Sequence, residues 1–118
     1  IDPANDRADY KETLEEFVKT KPRERFNVAF CLGSINFGSR EQILAQIRLL
    51  KTILEPRGRI YWRFNPGRHD HDNDYFQAIP VFPWSFELVQ EIAQELGFEL
   101  VELCWDRQNR IYSQWQLK

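Results

Sequence analysis

The sequence contains no methionine, two cysteines, two histidines and five glycines among its 118 residues, and each shortage removes a class of function. Cys31 and Cys104 sit inside apolar runs. Two such residues do not make the disulfide framework of a small secreted domain, so both read as reduced, buried thiols and the expected compartment is the cytoplasm. They are predicted mid-strand with no histidine beside them in sequence, which argues against a cysteine nucleophile. The glycines at 33, 38, 58, 67 and 97 never fall into G-x-G-x-x-G, and no P-loop lysine follows Gly38, so neither glycine-rich phosphate cradle is present. No apolar run approaches the roughly 20 residues of a membrane span, and the N-terminus lacks the charged, apolar and small-residue zones of a secretory signal. Without a methionine, a chain opening Ile1-Asp2-Pro3 does not show its own translation start, so Ile1 is read as a cut edge.

An excess of one charge is also missing. Sixteen basic and eighteen acidic side chains leave a net charge of −2, which disfavours nucleic acid and anionic membranes as general partners. With 42% hydrophobic and 14% aromatic residues, residues 1–118 are expected to form a single domain around one core. Residues 1–25 read as a leading helix and its connection.

The order of elements is legible from periodicity and punctuation. Asp9 with Glu12 predicts a capped helix that places Tyr10, Leu14, Phe17 and Val18 on one face and ends by Pro22. Residues 26–32 form a nearly continuous apolar run closed by Gly33, the pattern of a strand covered on both faces. Ser39-Arg40-Glu41-Gln42 is a second capping box, followed by a broad apolar face of Ile43, Ile47, Leu50 and Leu54. Pro56-Arg57-Gly58 reads as the stop before an alternating strand at 59–64, and a polar loop then covers 68–77. A helix is expected at about 85–96, capped by Gly97. Strands at 98–105 and 110–117, joined by Asp106-Arg107-Gln108-Asn109, make an antiparallel hairpin.

Strands alternating with helices predict an α/β fold with right-handed crossovers. A four-residue link cannot join parallel neighbours, so the last strand must run against the others. The expected architecture is a small mixed sheet of three parallel strands plus one antiparallel strand, flanked by helices.

Three motifs carry a resemblance. Phe30-Cys31-Leu32-Gly33-Ser34-Ile35-Asn36-Phe37, Ile53-Leu54-Glu55-Pro56-Arg57-Gly58-Arg59-Ile60 and Glu95-Leu96-Gly97-Phe98 occur in the order and spacing of strands four to six in a class I S-adenosylmethionine-dependent methyltransferase. The terminal hairpin is the feature that family adds to a Rossmann-like sheet. Residues 26–118 therefore resemble the C-terminal half of such an enzyme. Arg57 stands where the family usually has glycine.

The resemblance implies S-adenosylmethionine as cofactor, with Leu32, Gly33 and Ser34 lining its pocket and Asn36, Asn65 and Trp84 on the substrate side. It also implies that the glycine-rich loop and acidic residue gripping the cofactor belong to a half not seen here, so weak or absent binding is expected. Read as residues alone, Asn36 and Asn65 equally suit turn caps, and all four tryptophans suit core packing. Arg63 reads as a salt-bridge partner.

The loop Arg68-His69-Asp70-His71-Asp72-Asn73-Asp74 admits three readings. His69 and His71 suit acid–base work on an acceptor, a metal site, or a solvated surface. The spacing nearly matches the HxHxDH pattern of metallo-β-lactamase-like hydrolases, but Asn73 and Asp74 stand where Asp and His are required.

Three functional readings follow: a methyltransferase or part of one with an unassigned acceptor, a non-catalytic interaction or oligomerisation module, and a metal-dependent hydrolase using His69 and His71. A bare apolar edge at residues 26–32 is a pairing hazard, so this strand is expected to meet a second copy in a homodimer, or a partner chain.

Overall fold

Two helices begin where a serine accepts the backbone N–H groups that no turn of helix can satisfy. In the computed structural model, which describes residues 1, 7–33, 35–67 and 81–118, Ser39 caps α2 (Arg40–Thr52) and Gln42 reciprocates, as the capping box predicts. Ser85 caps α3 (Phe86–Glu95), whose Leu88 N–H reaches the serine hydroxyl at 3.2 Å. The first helix departs from expectation. α1 (Leu14–Thr20) starts at Thr13, not Asp9, because a second box, Thr13 with Glu16, overlaps the first. The later start sends Phe17 fully into the core and leaves Tyr10 ahead of the helix, its ring edge-on to Phe17 at 5.0 Å.

Four strands follow: β1 (Phe26–Cys31), β2 (Leu54–Phe64), β3 (Phe98–Trp105) and β4 (Ile111–Leu117). β2 is longer than its alternating segment. Pro56-Arg57-Gly58 does not separate helix from strand, since Ile53 already closes α2 and Leu54 pairs with Phe26. The three residues instead form an irregularity inside β2, after which pairing resumes at Val28 and Arg59. Arg57 takes φ +66°, a left-handed conformation. Its carbonyl accepts from the Gln116 side-chain amide at 3.2 Å.

The strands lie in the order β1-β2-β4-β3. β1 runs parallel to β2, and β4 is antiparallel to both β2 and β3. β1, β2 and β3 therefore share one direction and β4 opposes them, as the sequence predicts. The C-terminal strand is wedged between β2 and β3.

From β1 to β2 and from β2 to β3 the chain steps the same way across the sheet. Right-handed crossovers then place α2 and α3 on one face. One core cluster accordingly joins Phe17 of α1, Ile43 and Ile47 of α2 and Val89 and Ile92 of α3 to Ile60, Trp62, Phe64, Phe98, Ile111 and Trp115 of the sheet. The opposite face, with Val28, Phe30, Tyr61, Arg63, Tyr112 and Gln114, has no fully buried side chain among these residues. This corrects the expectation that the first strand is covered on both faces: Cys31 is buried, while Phe30 is 68% exposed.

Within the core, Trp115 lies 5.0 Å from Trp62 and 5.4 Å from Phe98. Its indole N–H donates to the fully buried Ser113 hydroxyl at 3.1 Å, and that hydroxyl donates to the Glu102 carbonyl at 2.7 Å. Glu102 adjoins the register shift in β3, so Ser113 satisfies a carbonyl next to a break in the ladder. Among the described residues, no helix is long and apolar enough to cross a membrane.

The backbone at Arg57 gives a stability prediction. A side chain in the left-handed region costs about 1–2 kcal/mol, and glycine returns part of that as about 0.5–1 kcal/mol of extra chain entropy in the unfolded state. Arg57→Gly is therefore expected to be stabilising by about 0.5–1 kcal/mol, read as a higher urea midpoint at unchanged slope; a lower midpoint would contradict it.

Candidate functional site

In an open α/β sheet, ligands bind beyond the carboxyl ends of the parallel strands. Here those ends are residues 32–37 after β1 and 65–67 after β2. Gly33 turns the chain out of β1 at φ +137°, a conformation L side chains rarely adopt, and a Cβ there would meet only the Asn36 amide nitrogen, at 4.0 Å. The turn needs glycine for its backbone angle, and among the described residues only that nitrogen comes within 4.0 Å. Leu32, 58% exposed, presents apolar surface beside it.

Asn36 is buried and joins the two strand ends. Its Oδ1 accepts the Asn65 N–H at 3.0 Å, and its carbonyl accepts the Phe82 N–H at 2.8 Å. Phe37 forms an isolated antiparallel bridge with Val81. Trp84 completes the seam: its indole N–H donates to the Ile35 carbonyl at 3.2 Å, its backbone N–H donates to the Asn65 carbonyl at 3.3 Å, and its ring stacks on Phe64 at 4.0 Å. Asn65 Oδ1 accepts from the Gly67 N–H at 2.9 Å, a local turn bond of the kind asparagine favours.

Three positions assigned to the substrate side, Asn36, Asn65 and Trp84, are thus brought together, with Asn65 bonded to both of the others. The Trp84 ring is nearly enclosed, in a packing position. Leu32 and Gly33 lie on the open side of the seam. The readings placed on Ser34, His69 and His71 fall outside the described residues. The backbone groups of Ile35 and Phe82, which the sequence did not single out, are also part of the seam; only the neighbouring Asn36 and Trp84 hinted at them.

A second polar cluster lies across the sheet. Arg63 Nε donates to Asp106 Oδ2 at 2.8 Å, and its guanidinium also meets the Gln108 side-chain oxygen. Asp106 Oδ1 accepts the N–H groups of Gln108 and Arg110 at 2.8 and 2.9 Å. Burial pushes the Asp106 carboxyl up, but the Arg63 and backbone hydrogen bonds, with the Arg63 charge, outweigh it and hold it below the ordinary 3.8. A carboxylate so held is a poor general base; it ties the β3–β4 turn to the end of β2. Among the described residues, no group of three or more His, Cys, Asp or Glu converges as a metal site.

No protein-family profile matches the chain, and none of the curated proteins compared with it does. Solved structures do. The N-methyltransferase NodS from Bradyrhizobium japonicum WM9, in complex with S-adenosyl-L-homocysteine, superposes at TM-score 0.63 and 14% identity over 92% of this chain and 53% of NodS. The magnesium protoporphyrin IX methyltransferase ChlM from Synechocystis PCC 6803, with bound SAM, gives 0.62 and 14% over 92% of this chain and 45% of ChlM. TnmH gives 0.62 and 10%, covering 80% of this chain and 31% of TnmH.

The fold is similar to part of the fold of the methyltransferases NodS and ChlM. The chain spans between 31% and 53% of the length of these solved structures.

The seam has a glycine turn and an apolar neighbour, and residues 32–33, 35–37 and 65–67 include no carboxylate.

Two outcomes test this geometry. Asn36→Ala takes away the acceptor of the Asn65 N–H and should cost about 1–3 kcal/mol, with faster hydrogen exchange at the Asn65 amide; an unchanged unfolding midpoint would refute its bridging role. For Asp106 the folded pKa lies below the unfolded one. Its contribution is therefore complete above the ordinary value and is lost as pH falls through the depressed one. Asp106→Asn should flatten the acid limb of the melting-temperature profile below pH 3.8, and parallel profiles would contradict the shift.

Proposed function

We propose that this chain is the trailing portion of an S-adenosylmethionine-dependent methyltransferase, supplying one wall of the methyl-donor pocket and the border facing the acceptor. The observation that carries the reading is the sheet itself. Three co-directional strands with a C-terminal antiparallel strand wedged between the second and third is a specific arrangement, and its superposition on NodS and ChlM extends over 92% of the chain.

When bound, the cofactor supplies an electrophilic methyl group on a sulfonium. The protein's task in such a transfer is chiefly to hold donor and acceptor in line. Leu32 and Gly33 offer an apolar contact and a backbone without a Cβ at the end of β1, and Ser34 is the next residue in sequence. Asn36 fixes that turn against the end of β2, so the donor wall and the acceptor border move as one piece. His69 and His71, in the stretch after β2, are the candidates to accept a proton from a nucleophile that must lose one. The acceptor is unassigned. The main grip on the nucleoside lies outside this chain, which makes binding by these 118 residues weak.

The test is positional. Titrating S-adenosylhomocysteine into the ¹⁵N-labelled chain should shift the amides of Leu32, Gly33 and Asn65 with Kd of about 1 mM or weaker, near −4 kcal/mol. Shifts confined to other regions, or none at saturating ligand, would remove the pocket from this seam.

A further inference from the structure

We propose that the pole of the sheet at the amino ends of β1 and β2 is a docking surface for an acidic segment of a partner protein. It lies at the opposite end of these strands from the Leu32–Gly33 turn, not along the outer side of β1, and it does not depend on methyl transfer. Residues 19–25, KTKPRER, hold four basic side chains and one acidic; residues 51–59, KTILEPRGR, hold three and one. The fold brings the two segments together, since the Phe26 N–H donates to the Ile53 carbonyl at 2.7 Å and Val28 pairs with Arg59. Seven cations thus gather against two carboxylates in a chain whose net charge is −2.

Their charge is available. Of the seven, only Lys21 has a carboxylate partner among the described residues, Glu12 at 2.9 Å. The Lys51 ammonium donates to the Leu96 carbonyl at 2.7 Å, a neutral acceptor that leaves its charge uncompensated. Arg25 is the preorganised member. Although exposed, its Nη1 donates to the carbonyls of Pro22 and Glu24, both at 2.8 Å. These two bonds fix the guanidinium plane and leave Nε and Nη2 as a two-pronged donor edge. A carboxylate fits that edge bidentately, with little further loss of side-chain freedom.

Two features select the occupant. Glu24 and Glu55, both exposed, stand among the cations. A continuous phosphate backbone would meet two repelling charges there, whereas a protein segment sets carboxylates opposite the arginines and other groups opposite the glutamates. The second feature is compositional: residues 19–25 and 51–59 contain no Phe, Tyr or Trp, so these segments offer neither a platform for stacking bases nor an aromatic anchor for a bilayer interface. The overall negative charge does not oppose docking, because salt at 0.1 M screens exposed charges beyond about 10 Å and local charge decides.

The probe is an acidic peptide of alternating glutamate and serine, titrated into the ¹⁵N-labelled chain at low salt. It should shift the amides of Arg23, Arg25 and Arg59, and binding should weaken about ten-fold as salt rises from about 0.05 to 0.3 M. Arg23→Glu combined with Arg59→Glu should weaken binding about ten-fold or more at an unchanged melting temperature. Arg25→Lys, which keeps the charge and loses the two-pronged edge, should weaken it less than Arg25→Glu. Arg107→Glu, in the β3–β4 turn at the other end of the sheet, should leave it unchanged. No shifts at low salt, shifts centred elsewhere, or binding indifferent to the double variant would overturn the proposal. So would tighter binding of duplex DNA or of phosphatidylserine vesicles than of the peptide, which would assign the pole to nucleic acid or membrane instead.

Discussion

The handedness of the strand–helix–strand crossover governs this molecule. A right-twisted strand feeding a right-handed helix packs back onto its sheet in only one sense. Because β1, β2 and β3 are laid down in a constant direction across the sheet, that sense sends both crossover helices to one side. α1 joins the same layer through Phe17, which meets Phe26 of β1 at a ring separation of 5.9 Å. A two-layer core follows, with aromatic rings of β2 and β4 at its centre and the helices' aliphatic stripes over them. The other sheet surface becomes a mixed polar and aromatic plain, organised by Arg63 with Asp106 and by Gln114 between Glu102 and Tyr112.

Placing β4 between β2 and β3 creates a difficulty that the seam and the core resolve together. The wedge separates two parallel strands, so β3 is tied to the rest of the sheet only through β4. Trp115, in the middle of β4, spans this gap with contacts to Trp62 and Phe64 on one side and Phe98 on the other. Ser113 uses its hydroxyl as acceptor and donor at once. At the strand ends the same logic recurs: Asn36 and Trp84 consume the backbone groups that loops would otherwise leave unpaired. The result is a hydrogen-bonded rim between the ends of β1 and β2.

Much of this was legible because the relevant signals are local. The Ser39–Gln42 capping box, the break at Gly97 and the hairpin turn at 106–109 each act within a few residues, and each appears where the sequence puts it. Errors arose where two local signals overlapped or where a residue adopted an uncommon backbone. Asp9 with Glu12 and Thr13 with Glu16 are both plausible boxes, and packing of Phe17 selects the second. Pro56-Arg57-Gly58 has the composition of a stop, yet Arg57 in the left-handed region lets β2 run through it. The apolar run of β1 announced a strand but not which faces are covered, because that depends on where later helices go. Asn36 and Trp84 were singled out as residues, whereas their bonds to Asn65 and Ile35 span distances in sequence that no local pattern encodes. His69 and His71 fall in residues 68–80, outside the described structure, so their three readings stand as the sequence left them.

The glycine turn after β1 and the uncharged strand that leads into it are connected by topology. In doubly wound sheets, the crevice that holds a ligand opens where the direction of winding reverses, because the crossovers on either side depart to opposite faces. Between β1 and β3 the winding never reverses, so no crevice with two walls forms within these strands. The place where a reversal would begin is the outer side of β1. There lies the Leu32–Gly33 turn, and the strand below it lacks the charges of β3. The glycine turn and the uncharged strand beneath it thus share one position in the sheet.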